Sequence, residues 1–541
     1  MADFPPSSRR SSASVSPPGE VEVVEGSHAV LEKHQVHHEI EESECQYITF
    51  ESEIPVLSTR TLRDGSILHP PNLKQFQSPF HWSSTRKNVV LFISCGVTML
   101  AGYTAGSYSM AAEQLQSKWA LSNVSFNTGV TTWAVGFACS PMMLAPLSEI
   151  NGRRPVFIGS GVLLLVALVG SAVTESFAGM LVARFFVGAG ASTFATMVGG
   201  VVSDIYHAED RNTPMAIYSG FALAGTGLGP FCSGFITKRV LWRWVFYTQI
   251  ISVGIILAVI ISFFNETRGS VLLSRKAQAV NSYYDKLAEN GLSITKIRYR
   301  VASDEARASL RHLLYLSLTT PFKLLFTEPV VFFFSLWIAF AWAVLYMTFD
   351  AIPLVFQTRH NFTVGEAGAV FAAICIGSIV GTILSICQER IARQHMPKLA
   401  STPEGRLYFA CIQSALLPVG LFWFGWTSSS SIHWIVPVLA LGCAQIGIFS
   451  IYLAVFNYLA DCYHRFASSA LAGQSFLRNI LAAIFPLFTN VMFRRLSYPG
   501  ASSLLGGISA VLTLVPWVLL FYGPKIRARS KIAGAILVQE S

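Results

Sequence analysis

From Asn88 onward the chain alternates between apolar runs of about twenty residues and short polar connections. Runs of that length cross about 30 Å of hydrocarbon as single helices. They predict twelve spans, at 88–110, 127–147, 155–174, 178–202, 213–236, 243–264, 329–350, 367–387, 406–426, 432–456, 466–492 and 501–522. The even number puts both termini on one side. The long connection 265–328 divides the spans six and six and holds a charged helical stretch around 304–316. Residues 1–87 are rich in Ser, Pro, Glu and His without apolar periodicity, and predict a disordered tail. The expected layout is therefore a tail (1–87), a six-helix bundle (88–264), a central loop (265–328), a second bundle (329–522) and a short tail (523–541). The two bundles echo each other: Asp204, Tyr206 and His207 end the fourth span as Asp461, Tyr463 and His464 end the tenth. Parallel halves with a binding site between them are the arrangement of transporters.

Composition agrees with an all-α polytopic membrane protein. Hydrophobic residues make up 52% of the 541 and charged residues 13%, against about 25% charged in soluble domains. The formal charge of +9 is mostly a one-sided excess in the connections, so nucleic acid is not the expected partner. Arg153, Arg154, Arg211, Arg390, Arg393, Lys398, Arg465 and the basic residues of the central loop share a side with both termini. Lys118, Lys238, Arg239, Arg243, Arg359, Arg494 and Arg495 lie opposite, where the connections after spans five and eleven run against the bias. The positive-inside rule then makes both termini cytoplasmic. Two glycosylation sequons, at Asn123 and Asn361, fall outside, and a third at Asn265 falls inside and is expected to be silent. The nine Cys are scattered singly, which argues against a disulfide framework. No cleavable signal peptide is visible. His34, His37 and His38 lack any supporting ligand and are plainest as an incidental polar tract, so no metal is expected.

In the fifth span, Gly225, Gly229, Pro230 and Gly234 stand in a string of small residues. Small residues let helix backbones approach closely in lipid, and Pro230 predicts a local irregularity. Tight helix packing alone explains a G-x-x-x-G. The whole string, however, resembles the G-x-x-x-G-P-x-x-G-G pattern of proton-coupled antiporters in the major facilitator superfamily, departing at Ser233. A leucine at Gly229 is expected to abolish gradient formation, with alanine milder.

Between the second and third spans, Leu147, Gly152, Arg153 and Arg154 resemble the same superfamily's G-x-L-A-D-R-x-G-R-K loop, with departures at Ala145, Glu149 and Ile150. An ordinary positive-inside turn is the alternative. The resemblance implies an inner gate in which Glu149 faces the N-terminus of the eleventh helix and Arg153 pairs with Asp204. In the fourth span, Arg184 with Gly188 and Gly190 resembles the R-x-x-Q-G-x-G motif, Val187 replacing Gln. That implies a proton-coupling role for Arg184; snorkelling to the interface is the alternative reading.

Other polar residues at span depth are Tyr103, Tyr108, Gln249, Asp350, Gln445, Asn457, Gln474, Arg478 and Asn479. Helices 1, 4, 7 and 10 line the cavity in this superfamily, which singles out Tyr103, Tyr108, Tyr346, Asp350 and Gln445, although helix–helix hydrogen bonding would also account for each. Asp350 is the candidate proton carrier, with Glu113 behind it. Further strings, at 242–249, 266–276, 403–406, 457–461 and 468–474, are similar to the fungal 12-span drug:proton antiporter family. The family implies a monomeric exporter of small, mostly apolar compounds at the plasma membrane. It would use a proton gradient and no cofactor. A polyamine or nutrient transporter of the same fold, and a transport-dead membrane sensor, are the competing functions. Motifs for ATP binding, zinc proteolysis and serine hydrolysis are missing, so an enzyme is not expected.

Overall fold

The computed structural model describes residues 45–529, except 53, 55–57, 63–65, 208, 291–296, 306–308, 397–401, 403, 406 and 464–465. The His34, His37 and His38 tract lies outside them, as do Lys398, His464 and Arg465.

Twelve long helices follow the apolar runs, because in lipid a spanning segment must satisfy its own backbone. They are α1 (Ser84–Gly106), α2 (Asn123–Asn151), α3 (Arg153–Val173), α4 (Phe177–Thr196), α5 (Asn212–Arg239), α6 (Arg243–Phe263), α7 (Pro329–His360), α8 (Ala372–His395), α9 (Leu416–Thr427), α10 (Ile435–Tyr463), α11 (Ala467–Leu512) and α12 (Leu514–Arg529). Hydroxyl caps start several of them: Ser83, Ser122 and Ser176 each accept from a backbone N–H of the first turn. Thr363 and Glu366 form a capping box on the turn that leads into α8.

Ten segments of the described residues are long and apolar enough to cross a membrane. One of them turns back at Ser497 (φ 62°, ψ 168°), so α11 crosses once before that residue and its remainder crosses back with α12. The glycines and hydroxyls of α5 dilute its hydropathy, yet its 28 residues extend about 42 Å. Twelve crossings result. Within the first six, α1 packs on α5, and α4 on α2 and α3; within the last six, α7 packs on α11 and α9 on α10. The halves meet where α5 lies against α8 and α2 against α11. The face holding the α2–α3 turn is termed the basic face, and the opposite one, holding Asn123 and Asn361, the sequon face.

Two boundaries differ from expectation. Residues 45–87 are not all tail: strand Cys45–Tyr47 pairs in parallel with strand Arg298–Arg300 of the central loop. Ile48 then packs with Ala277, Val280, Tyr299 and Val301 in a small core on the helix Gly269–Glu289. A few apolar side chains suffice because that helix presents a ready-made apolar face. At the other end α12 continues past residue 522, and Arg527 pairs with Glu404 at 2.6 Å. In the loop itself a short helix covers Ala302–Glu305 and a longer one runs Leu310–Thr327, displaced toward α7 from the expected 304–316.

Candidate functional site at the seam between the bundles

The α5 string serves two neighbours. A Cβ built on Gly225 would stand 2.3 Å from the Met99 carbonyl oxygen of α1, and one on Gly229 would stand 2.5 Å from that of Tyr103. On the opposite side a Cβ on Gly227 would meet the Phe371 carbonyl at 2.9 Å, and one on Gly234 the Gly368 Cα at 2.9 Å. One helix is thus pressed against its own bundle and against the other bundle at once. Pro230 stays within the helix and packs on Gly106.

At the basic face Gly152 adopts φ 100°, which L residues rarely take, and places two donors of the α3 N-terminus toward Glu266. Glu266, 113 residues further along, accepts from the backbone N–H of Arg153 at 2.8 Å and of Arg154 at 3.2 Å. It also accepts from Thr267 and Arg268. This distant carboxylate caps a helix that has no side-chain cap of its own. Arg153 Nε donates to Asp204 Oδ2 at 3.2 Å and Nη1 to Ser148 Oγ at 2.6 Å. Arg268 reaches the other Asp204 oxygen at 3.3 Å. Arg154 Nη2 donates to the Ile261 carbonyl. Every one of these groups belongs to the first bundle or the start of the central loop. Glu149 departs from the expected gate: its side chain is exposed, and no described residue pairs with it. The last turn of α2 directs it away from the buried cluster.

Arg184 is fully buried and does not snorkel. Nε donates to the Gly129 carbonyl of α2 and Nη1 to the Thr104 carbonyl of α1, both at 3.1 Å. Its guanidinium lies 4.6 Å from the Tyr108 ring centroid. Tyr108 itself stacks on Phe126 at 4.6 Å, so it is a wall of the arginine site. Gln445 is likewise engaged in helix packing, donating to Ser378 Oγ of α8 at 3.0 Å. Tyr103 is buried where α1 meets α5. Tyr346 is 2% exposed, and its ring centroid lies 6.3 Å from those of Trp133 of α2 and Trp342 of α7, between the two halves.

Asp350 of α7 accepts from Asn127 Nδ2 of α2 at 2.6 Å, and the same amide donates to the Pro486 carbonyl of α11 at 2.8 Å. One helical turn deeper, Thr131 donates to the Ala483 carbonyl at 2.7 Å. The halves are therefore tied together in the sequon-face third. Glu113 is exposed on the helix Ala112–Trp119. Near it Glu175 pairs with Lys118 at 2.8 Å and with Arg243, and Lys118 followed by Arg243 holds its carboxyl below the usual range.

On the basic half, a cavity of about 530 Å³ opens among α8, α10 and the short helix Leu407–Gln413 that precedes α9, with Ser385, Gln388, Glu389, Phe449, Asn457 and Glu209 in its lining. None of the five expected cavity residues lines it. Sequence reasoning missed Asn127, which sat at a span boundary, and gave no role to Glu266, although a carboxylate just after an apolar run and opposite a basic turn was a usable signal. Asn123 and Asn361 are exposed at the ends of α2 and α7 on one face, and Asn265 is exposed on the other.

Two bundles of six membrane-crossing helices, joined across their seam by Asn127 and Thr131, have the architecture of a multi-pass membrane transporter. The chain belongs to the Major Facilitator Superfamily, which matches residues 91–486. It is 32% identical over 460 residues to the Major facilitator superfamily multidrug transporter mdrA of Aspergillus fumigatus, covering 85% of this chain and 74% of that one. It is 36% identical over 404 residues to the efflux pump atB of Aspergillus terreus, covering 73% and 83% respectively. The fold is similar to that of the xylose transporter XylE from E. coli, with a TM-score of 0.57 at 16% identity over 80% of this chain and 98% of that one.

Proposed function

We propose that this protein exports small, mostly apolar organic compounds in exchange for protons, by alternating access across a plasma membrane. The observation that carries the reading is the α5 string, which lies against α1 on one side and α8 on the other. Relatives spanning most of the chain, named as a multidrug transporter and an efflux pump, support export over uptake.

In this reading the basic face is cytoplasmic and both termini are inside. Asn127 closes the outer end by holding α7 and α11 to α2. Asp350 takes up a proton from outside; once neutral it binds the Asn127 amide less strongly, which loosens that closure. Arg184 keeps the adjoining part of the bundle polar enough for a proton route without water-exposed charge. At the inner end Arg153, Arg154, Asp204, Gly152 and Glu266 hold α2, α3, α6 and the short helix Val198–Ile205 that follows α4 as one rigid body that rocks against the second bundle, and Glu149 faces the cytoplasm. The gradient supplies the energy, the working unit is a monomer, and no cofactor takes part. Two buried arginines disfavour the alternative of a polyamine carrier, because a polycation would meet like charge.

The test is efflux from intact cells and from proteoliposomes, with an uncoupler added while ATP is held constant. Efflux should collapse, and Arg184→Leu should lose proton-driven transport. Efflux that persists without a proton gradient but follows ATP overturns the antiport reading. A protein that binds compounds yet moves none would be a sensor.

A further inference from the structure

The middle of the bundle holds a second buried cation for which the transport cycle above has no use. Arg478 of α11 is 3% exposed. Its guanidinium carbon lies 4.5 Å from the ring centroid of Trp342 on α7, and 5.3 Å and 5.9 Å from those of Tyr452 and Phe456 on α10. Nη2 donates to Ser475 Oγ at 3.3 Å. Nε and Nη1 are buried without an acceptor. Gln474, fully buried one turn earlier on the same helix face, has its Nε2 without an acceptor and its Oε1 without a donor, and the indole Nε1 of Trp342 also has no acceptor.

Such a cluster is costly to leave empty. A buried donor without an acceptor costs about 1–3 kcal/mol, and more when charged. The three rings offset part of the charge through cation–π attraction, ~2 kcal/mol where water is excluded. Ring faces do not, however, fill the in-plane N–H directions of a guanidinium. Of the other charged side chains at this depth, Arg184 donates through Nε and Nη1 to backbone carbonyls with Nη2 unpartnered, and Asp350 is held by Asn127. The electrostatic balance at the centre is left positive, and Arg478 Nε and Nη1 stand without an acceptor one turn from the unpartnered amide of Gln474. Beside them Trp342 and Tyr452 are stacked on one another, 5.4 Å between centroids at 24°, as a pair of aromatic rings at the arginine.

We propose that Arg478 and Gln474 form the subsite for the carboxylate of an aromatic organic acid, whose ring lies against Trp342 and Tyr452. The proposal rests on the export reading and narrows its substrate class. A carboxylate fits the planar fork of a guanidinium through two parallel hydrogen bonds, which an amide or an ester cannot reproduce. An organic cation would meet a like charge.

The test uses the full chain in nanodiscs without a pH gradient, with tritiated naphthoate as probe and naphthamide and naphthyltrimethylammonium as competitors. The wild type should prefer naphthoate to naphthamide by about tenfold or more and reject the cation. Arg478→Gln should bring that ratio close to one, and Arg478→Lys should recover part of it, since ammonium keeps the charge but not the fork. Gln474→Leu leaves the buried cation in place and should lower the ratio by about threefold. Equal affinity for acid and amide in the wild type overturns the proposal, as does no naphthoate binding, or a preference that survives Arg478→Gln. Binding is read without transport, so the two readings fail separately. Acid preference with no proton-driven movement of either probe sinks export alone. Proton-driven export without acid preference sinks the subsite alone.

Discussion

Asn127 holds Asp350 at 2.6 Å and the Pro486 carbonyl at 2.8 Å through one amide nitrogen. A single side chain of the first bundle therefore clamps two helices of the second. Losing a hydrogen bond to a charged group shifts a two-state equilibrium by about 1.5–3 kcal/mol, roughly tenfold or more. Asn127→Ala should accordingly open the sequon face: a cysteine at that face should become about tenfold more reactive toward a membrane-impermeant maleimide. Asp350→Asn, a mimic of the protonated state, should abolish proton-driven transport while exchange of labelled for unlabelled substrate continues. Unchanged gradient-driven uptake in the Asn variant would remove Asp350 from the coupling route.

Gly229 faces a backbone carbonyl 2.5 Å from where a Cβ would sit, and a backbone N–H at 2.9 Å. Alanine, tolerated at many close helix crossings, is already too large here. Overpacking typically costs about 1–3 kcal/mol. Gly229→Ala should lower the thermal midpoint and substrate accumulation, and Gly229→Leu should prevent accumulation and raise passive proton leak in proteoliposomes. Wild-type efflux and leak in the leucine variant would reduce the glycines to spacers.

Glu266 is the keystone of the basic face. Replacing it with Gln keeps one acceptor but turns an amide toward backbone N–H groups, leaving buried donors unmatched at about 1–3 kcal/mol each. A loss of thermal stability of about 2 kcal/mol is expected for Glu266→Gln, and a larger one for Glu266→Ala. Arg153→Ala should instead cut transport with a smaller stability change, since the buried Asp204 keeps Arg268 as a partner when the Arg153 guanidinium is removed. Unfolding in detergent, followed by tryptophan fluorescence, separates the two.

Glycan should appear at Asn123 or Asn361 and never at Asn265. Endoglycosidase treatment of single-sequon variants reads this directly as a gel shift. A shift that depends on Asn265 would invert the topology.

Acid should loosen the sequon-face rim. Glu175 has its carboxyl held low by Lys118 and Arg243, from an ordinary value of 4.5. The ion pairs therefore contribute fully above that value, and the contribution is lost as pH falls through the lower, folded one. The thermal midpoints of wild type and Glu175→Gln should differ by a constant amount between about pH 7 and 5 and converge below about 4.5. Salt at about 0.5 M should shrink the difference at every pH, because the pair is exposed. A gap that widens on acidification would contradict the pairing.

The spans were legible because bilayer thickness fixes their length, and the glycines of α5 because only close approach explains so many small residues in lipid. Its second neighbour was not legible: Gly227 meets α8, and Gly234 the short helix Val364–Val370 before it, only after both bundles have formed. Arg184 stood out as a charge at depth, while its carbonyl partners, being backbone, leave no trace in side-chain identity. Tyr108 and Gln445 looked like cavity residues because helix number alone does not say which way a residue faces. The strand pairing of Cys45–Tyr47 joins segments too short for any periodicity to mark.

That strand pairing has a consequence for biosynthesis. Cys45–Tyr47 emerges from the ribosome first, and its partner Arg298–Arg300 follows only after α1 to α6 have been made. Closing so long a loop through three residue pairs is unfavourable unless the helices between have already brought the ends together. The pairing can therefore form only on a completed first half. It acts as a seal, fastened as the seventh helix is about to enter the membrane.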